Sequence, residues 1–243
     1  GGAARRRLTA SAEAAAAPAP GDGPQAVAER APQEPQVKVP SSLRGSPEAN
    51  SSSAHAAAKS GGRGCLCIFD IDRTLTCKQG FGPPACPGAH VFSGVWDDAY
   101  GGGDLTLSTL GDRGVRATAC GACEIGIVSH GTAGGNAMKD IIGHSIGQRP
   151  EWSRPGQIHS PFVLGCGNKP PCVRGVLDWF NARGAGIAPQ NVYLFDDKRS
   201  NIDAFRGSEF NARQISCSAL EGNIGLCGAD PGEIRLERGV RTC

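Results

Sequence analysis

Two aspartates, Asp70 and Asp72, lie two positions apart directly after the apolar run of residues 65–69. Residues two apart in an extended chain point the same way, so both carboxylates would face one site. Such a pair can divide a reaction, because one carboxylate can attack a substrate while the other handles protons. A DxD pair alone is a weak signal. The apolar run before it and the Thr-Leu-Thr after it make it a strong one.

Other side chains with chemical potential are placed in the same way. Ser129 follows the apolar run 125–128, and Lys169 stands at the start of a predicted helix. The neighbouring acids Asp196 and Asp197 follow a further apolar run. In open parallel sheets the carboxyl ends of the strands share one edge, where ligands bind. The repeated placement therefore predicts that these residues belong to one site.

The elements that must position these residues are short strands alternating with helices. Apolar runs of four or five residues without alternation are typical of strands buried on both faces of a parallel sheet. The predicted strands are 65–69, 125–128, 161–164, 192–195 and, more weakly, 212–216. The predicted helices are 104–110, 135–147, 171–183 and 200–205. This order predicts an α/β fold, a Rossmann-like doubly wound parallel sheet.

Together the motifs resemble those of the haloacid dehalogenase-like superfamily, and specifically its phosphatases. The resemblance spans roughly residues 65–217 and rests on four motifs in order. They are the strand followed by DxDxT at residues 70–74, the strand ending in Ser129, Lys169 before a proline, and the strand ending in Asp196 and Asp197. The resemblance implies a Mg²⁺-dependent phosphomonoester hydrolase with an aspartyl-phosphate intermediate.

The resemblance also implies a role for each catalytic residue. Asp70 is the nucleophile, and Asp72 protonates the leaving oxygen and later activates water. Ser129 binds a phosphate oxygen, and Lys169 neutralises phosphate charge and holds Asp70 in place.

The same resemblance implies the substrate and metal ligands. The substrate-binding residues are Thr74, Ser129, His130 and Lys169. The Mg²⁺ ligands are the carboxylates of Asp70, Asp196 and Asp197 and the backbone carbonyl of Asp72, which are the hard oxygens that Mg²⁺ prefers. Asn201 supports the acidic loop.

Simpler interpretations remain open for several of these residues. Asp196 and Asp197 are also consistent with a solvated turn, Ser129 with a helix cap, and Lys169 with a surface side chain. His130 either contacts substrate or faces solvent.

The function also has alternatives from other classes. The fold can serve a non-catalytic binding or structural protein, or an enzyme that transfers phosphate to another acceptor. The complete set of acids argues against the first, and the absence of a water-excluding cap argues against the second.

Substrate access is the next question, because in this superfamily a cap inserted near the site governs it. The Gly- and Pro-rich segments 77–103 and 147–160 read as ordered loops on the catalytic face, too short for a full cap domain. We therefore expect a minimal-cap, open site with a small flap carrying Phe81, Trp96 and Tyr100. Such a site suits a phosphorylated small molecule or protein, including bulky phosphates.

Arg73 departs from the motif, since it replaces the Gly most often found between the second Asp and the Thr. It either crowds the site or adds a phosphate-binding cation.

The 11 cysteines are many for a domain of this size. Cys120 and Cys123 form one CxxC pair, whereas a structural zinc would want two such pairs. Disulfides among the flap, CxxC and tail cysteines are favoured, with at least one thiol left free by the odd count. Cys65 and Cys67 read as small apolar residues of a buried strand.

The chain divides by composition into an Ala- and Pro-rich leader, residues 1–62, and a catalytic domain, residues 63–243. The composition of the leader predicts disorder, as a linker or a targeting remnant, because it contains no aromatic residue or isoleucine.

The leader also carries the net charge of +2. The catalytic domain has balanced charges, which excludes non-specific nucleic-acid binding. No apolar run is long enough for a membrane span. Cysteines and leader weakly suggest a secretory or organellar route, while substrate and oligomeric state stay open.

Overall fold

The computed structural model describes residues 64–243, so the predicted leader lies outside the described residues. The strands are β1 (Leu66–Phe69), β2 (His90–Asp97), β3 (Gly103–Leu107), β4 (Glu124–Val128), β5 (Trp152–Ser153), β6 (Phe162–Val163), β7 (Val192–Asp196), β8 (Asn211–Gln214), β9 (Leu220–Glu221), β10 (Ile224–Gly225) and β11 (Val240–Arg241). The helices are α1 (Thr109–Arg113), α2 (Asn136–Ile146), α3 (Lys169–Asn181) and α4 (Arg199–Asp203). Short 3₁₀ turns span Ala99–Gly101, Val115–Ala117, Pro189–Asn191 and Pro231–Glu233.

Seven strands form a central sheet in the order β11-β8-β7-β1-β4-β6-β5. Every neighbouring pair in it is parallel. The chain leaves β1 toward β4 on one side and reaches β7 on the other, so the strand order reverses at β1. Ligands bind at such switch points, outside the carboxyl ends of the strands. The predicted Rossmann-like doubly wound sheet is confirmed.

Strand β1 shows why the sheet is covered on both faces. Cys67 and Phe69 face the core that α1 and α2 cover. Leu66 and Ile68 face the opposite core, which α3 and α4 cover. All four side chains are fully buried, which is the burial that an unalternating apolar run predicts. Phe69 also stacks on Phe195 of β7, with ring centroids 5.2 Å apart.

The structure corrects one element. The prediction of a helix over 104–110 is wrong, because residues 103–107 form β3 and only residues 109–113 form a helix. Leu105 and Leu107 are both buried while β3 pairs with β2 in an antiparallel hairpin. The paired residues are 6 to 17 positions apart, and a local helix pattern does not contain this pairing. Ser108 caps α1, since its Oγ accepts a 3.0 Å hydrogen bond from the Gly111 amide.

The two predicted loops contain strands. Segment 77–103 carries most of the β2–β3 hairpin, which we call the flap (residues 90–107). Segment 147–160 contains β5, which adds an edge strand to the sheet. Among the described residues no helix is long and apolar enough to cross a membrane.

Ten of the cysteines form five disulfides. The pairs are Cys65–Cys123, Cys67–Cys120, Cys86–Cys227, Cys166–Cys172 and Cys217–Cys243. Reading Cys65 and Cys67 as merely apolar residues is therefore wrong, because both join the CxxC segment to β1. The expected disulfide between the segment 77–103 and the C-terminal tail is present as Cys86–Cys227. Cys77 is the free thiol, and burial raises its pKa to about 12.

Candidate active site

Asp70 is the first residue beyond β1, at the switch point of the sheet. Its amide donates to the Phe195 carbonyl at 3.0 Å, which continues the pairing of β1 with β7. Its Oδ1 accepts a 2.8 Å hydrogen bond from the Ile71 amide. The side chain is buried, so the backbone register of β1 fixes where this carboxylate points.

Lys169 joins three strands through one buried ammonium group. Its Nζ lies 2.9 Å from Asp70 Oδ2 and 2.5 Å from Asp196 Oδ2, and it donates to the Val128 carbonyl at 2.9 Å. Burial by itself lowers the pKa of Lys169, but Asp196 and Asp70 outweigh it and raise the pKa. The side chain is 2% exposed, which rules out the surface-lysine interpretation.

The two acids at the end of β7, Asp196 and Asp197, are held by separate partners. Asp196 accepts hydrogen bonds from the Lys198 amide at 2.8 Å and from Asn201 Nδ2 at 3.0 and 3.1 Å. Asp197 Oδ2 accepts a 3.1 Å hydrogen bond from the amide of Gly225 in β10. Both acids are buried, so the solvated-turn interpretation is wrong.

Carboxylate oxygens of Asp70, Asp196 and Asp197 all lie within 4.8 Å of one another. Lys169 supplies one positive charge against three buried carboxylates. Burial raises the pKa of Asp70, which Lys169 opposes, and burial raises the pKa of Asp197 well above its usual value. Buried charge without full compensation is unfavourable. The donors are hard oxygens and the excess charge is negative, so the residues fit Mg²⁺.

Asp72 stands beside this cluster, half-buried. Its Oδ2 lies so close to the Gly131 backbone that a Cβ at position 131 would be 2.6 Å away. Burial, followed by the charges of Asp70 and Asp97, raises the pKa of Asp72 to about 8. The two acids of the DxD pair therefore differ in environment, since Asp70 pairs with Lys169 and Asp72 faces the loop after β4.

The remaining predicted site residues are Ser129, Thr74 and His130. Ser129 Oγ is buried and makes no hydrogen bond of good geometry among the described residues, but it lies close enough to Asp70 to oppose the rise in the pKa of that carboxyl. Thr74 Oγ1 is likewise buried without a partner, but the Thr74 carbonyl binds Ser108 and Ala229, away from the acids. The His130 side chain is exposed, which the solvent-facing interpretation requires.

Comparison with known proteins adds little to this geometry. No protein-family model matches the chain, and no curated protein matches it. Solved structures to which it is similar, each with a TM-score of 0.35, include a hypothetical protein from Xanthomonas campestris (16% identity), a 3-deoxy-D-manno-octulosonate 8-phosphate phosphatase from Moraxella catarrhalis in complex with magnesium, phosphate and KDO (14%), and a probable YrbI family phosphatase from Pseudomonas syringae (17%). Each match covers 62% of this chain and 64, 67 and 66% of those chains, respectively. Likenesses of this size carry no argument about function.

Arg73 has a structural role that sequence reasoning missed. Its φ of 56° lies in the left-handed region, which explains why Gly suits this position. Its guanidinium pairs with Glu221 at 2.9 Å and lies 4.1 Å from the ring centre of Tyr100. The group thus ties the DxD loop to the β9–β10 hairpin and to the flap. No local sequence signal points to Glu221, which is 148 positions away.

The flap reaches the loop after β4. Thr132 Oγ1 donates to Asp98 Oδ2 at 2.7 Å, which links the flap end to that loop. Trp96 and Tyr100 are 60% and 53% exposed, respectively. Burial and the nearby acids, Asp197 first among them, raise the pKa of the Tyr100 hydroxyl. The flap therefore brings aromatic surface next to the acidic cluster.

Proposed function

We propose that the protein is a Mg²⁺-dependent phosphomonoester hydrolase of the haloacid dehalogenase-like type, working through an aspartyl-phosphate on Asp70 at an open site with a minimal cap. One observation carries the proposal. Three buried carboxylates from the ends of β1 and β7 meet around one buried lysine, with Asp72 beside them. The arrangement supplies a nucleophile, a proton donor and a cation site at one end of the sheet.

The first half of the reaction uses both acids of the DxD pair. An Asp70 oxygen forms a bond to phosphorus while the ester P–O bond breaks on the opposite side. The proton held by Asp72 passes to the leaving oxygen, so the alcohol departs neutral. Lys169 holds Asp70 in place and lies near the transferring oxygens, and the buried Ser129 hydroxyl donates to one of them. Asp70, Asp196 and Asp197, with the Asp72 carbonyl, would hold a Mg²⁺, which would supply charge neutralisation.

The second half returns the enzyme to its starting state. Asp72, now ionised, takes a proton from a water molecule whose oxygen attacks phosphorus. The bond between phosphorus and Asp70 breaks, which releases inorganic phosphate and restores the Asp70 carboxylate. The water molecule supplies the fourth oxygen of the released phosphate. One of its protons returns to Asp72, and the other stays on the phosphate.

The exposed flap residues leave room for bulky substrates. The five disulfides favour an oxidising, secretory-type compartment.

Steady-state hydrolysis of 4-nitrophenyl phosphate tests the proposal. We expect turnover that needs Mg²⁺ and falls about 10³-fold or more in Asp70→Asn, because an amide is a poor nucleophile. Asp178→Asn, on the exposed face of α3, is the matched control and should keep full activity. Mg²⁺ binding by calorimetry without hydrolysis of any phosphoester would instead establish the non-catalytic alternative. Turnover unaffected by Asp70→Asn would remove Asp70 as nucleophile.

A further inference from the structure

A cavity of about 470 Å³ opens at the same edge of the sheet as the acidic cluster. It lies at the carboxyl ends of β5 and β6, beneath the start of α2 and next to the loop after β4. The residues that matter in its lining are Thr132, Lys139, Trp152, Arg154, Leu164 and Gly165. Because the sheet is wholly parallel, the cavity and Asp70 lie at the same end of the strands.

The cavity is connected to the active site through Gly131. Gly165, in the cavity wall, donates its amide to the Gly131 carbonyl at 3.2 Å. Gly131 in turn faces the carboxylate of Asp72, and a Cβ there would be 2.6 Å from Oδ2. One hydrogen bond and one close contact therefore separate the cavity wall from the proposed proton donor. Thr132, the next residue, is bonded to the flap through Asp98.

The lining combines two cations with apolar surface. Lys139 and Arg154 form no ion pair with the acids of the described residues. The indole of Trp152 is fixed edge-on against Phe162, with ring centroids 6.1 Å apart. The acids nearest in sequence are both exposed. Asp140 lines a neighbouring depression that shares Lys139 and Trp152 with the cavity, and Glu151 lines another depression. A site with two unpaired cations and an aromatic wall suits an organic anion.

We propose that this cavity receives the leaving group, and that the substrates are phosphomonoesters whose alcohol portion carries a second anionic group, a carboxylate or a phosphate. The inference rests on the proposed function. In-line attack by Asp70 places the leaving oxygen on the far side of phosphorus, where Asp72 must reach it with a proton. The alcohol portion therefore extends from Asp72 past Gly131, toward Lys139 and Arg154.

Three aryl esters of similar size test the proposal: phenyl phosphate, 4-carboxyphenyl phosphate and 4-(aminomethyl)phenyl phosphate. For each enzyme, kcat/KM of the charged esters is divided by that of phenyl phosphate, so that a general loss of activity cancels. In Lys139→Gln/Arg154→Gln we expect the carboxyl ratio to fall about tenfold, through KM, because two exposed charge contacts are lost. In Lys139→Glu/Arg154→Glu the preference should reverse toward the aminomethyl ester.

The matched control is Arg183→Gln, which removes one positive charge beside Trp179 on the opposite face of the sheet and should leave all ratios unchanged. Hydrolysis of all three esters with unchanged ratios in both double variants would overturn the role of the cavity and leave the proposed function intact. No hydrolysis of any ester by the wild type would overturn the proposed function and the inference together. Thermal unfolding of each variant checks that the fold is retained.

Discussion

The two ends of β1 are held by different chemistry. At the amino end, Cys65 and Cys67 are covalently joined to Cys123 and Cys120, so two disulfides fix the strand to one loop. At the carboxyl end, Asp70 is held by the charge of Lys169 and by hydrogen bonds. The covalent links at the amino end contain no titrating group. The carboxyl end is held by charges that the proposed chemistry also uses.

One strand is thus held by covalent bonds at one end and by buried charges at the other. Acids crowded around one lysine repel one another, so their arrangement is unfavourable without a compensating cation. The double disulfide stabilises the amino end of β1, whereas pairing with β4 and β7 sets the register that determines where Asp70 lies. The following predictions probe the two ends, from the largest expected effect on the free energy of unfolding to the smallest.

Removing both disulfides at the amino end should have the largest effect. Each closes a long loop, with sequence separations of 58 and 53 residues, but the two join the same segments. Once one is present, the other closes only a small ring. In the chain-entropy description, losing either pair costs about 2 kcal/mol, whereas losing both costs about 6 kcal/mol. Urea unfolding of Cys65→Ala/Cys123→Ala, Cys67→Ala/Cys120→Ala and the quadruple variant measures this.

The informative result is this departure from additivity. Activity at temperatures where the variants remain folded should stay near that of wild type, because none of the four cysteines contacts the acids. A quadruple loss equal to the sum of the two double losses would contradict the shared-segment interpretation. If the quadruple variant does not fold, a loss above about 3 kcal/mol in either double variant would contradict it as well.

Breaking the charge link at the carboxyl end should have the next largest effect. Lys169→Gln leaves Asp70 and Asp196 buried without their cation, which typically costs about 3 to 5 kcal/mol when a buried pair loses one partner. We expect this loss in urea unfolding without Mg²⁺, together with loss of phosphatase activity. Arg113→Gln, an exposed cation at the end of α1, controls for net charge and should change stability little. A loss below about 1 kcal/mol, typical of surface pairs, would show that Lys169 does not hold the acids.

The sequence predicted the elements whose signal is local and failed where the signal is distant. The apolar runs that form β1, β4 and β7 can be recognised from the sequence alone, since an unalternating apolar run is typical of a strand buried on both faces. The hairpin strand β3 was missed because its partner β2 precedes it across a turn. The disulfides of Cys65 and Cys67 were missed for the same reason, since a cysteine on a buried strand reads as apolar until its partner is known.

The candidate site shows the same division. The motifs located the acids and Lys169, because each follows a strand or begins a helix. The partners that orient them come from far along the chain: Gly225 binds Asp197, and Glu221 binds Arg73. The cavity beside Gly131 is lined by the loop after β4, by α2, by β5 with the residues after it, and by the loop after β6, so it has no contiguous sequence pattern. Sequence reasoning therefore found the buried acids and the lysine but not the residues that support them.

The smallest effect concerns Glu221, which joins Arg73 and Lys78 at the carboxyl end of β1 at 2.9 and 2.7 Å. Hydrogen bonds from Lys78 and then Arg73 lower the pKa of Glu221. A carboxyl whose pKa is lower in the folded state stabilises the fold above its unfolded pKa, and the stabilisation disappears as pH falls through the lowered folded value. The melting-temperature difference between wild type and Glu221→Gln should therefore be largest near neutral pH and vanish in acid.

Salt connects this result to the comparison of the two ends. Glu221 is 52% exposed, so added NaCl should screen its pairing and shrink the difference at neutral pH. The disulfide variants should show no such pH or salt dependence, because a covalent link carries no titrating group. Glu124→Gln, an exposed acid at the start of β4 with no ion pair among the described residues, removes the same charge and is the matched control. A difference for Glu221→Gln that persists in acid and in high salt would mean that shape, and not charge, holds the Arg73 side chain.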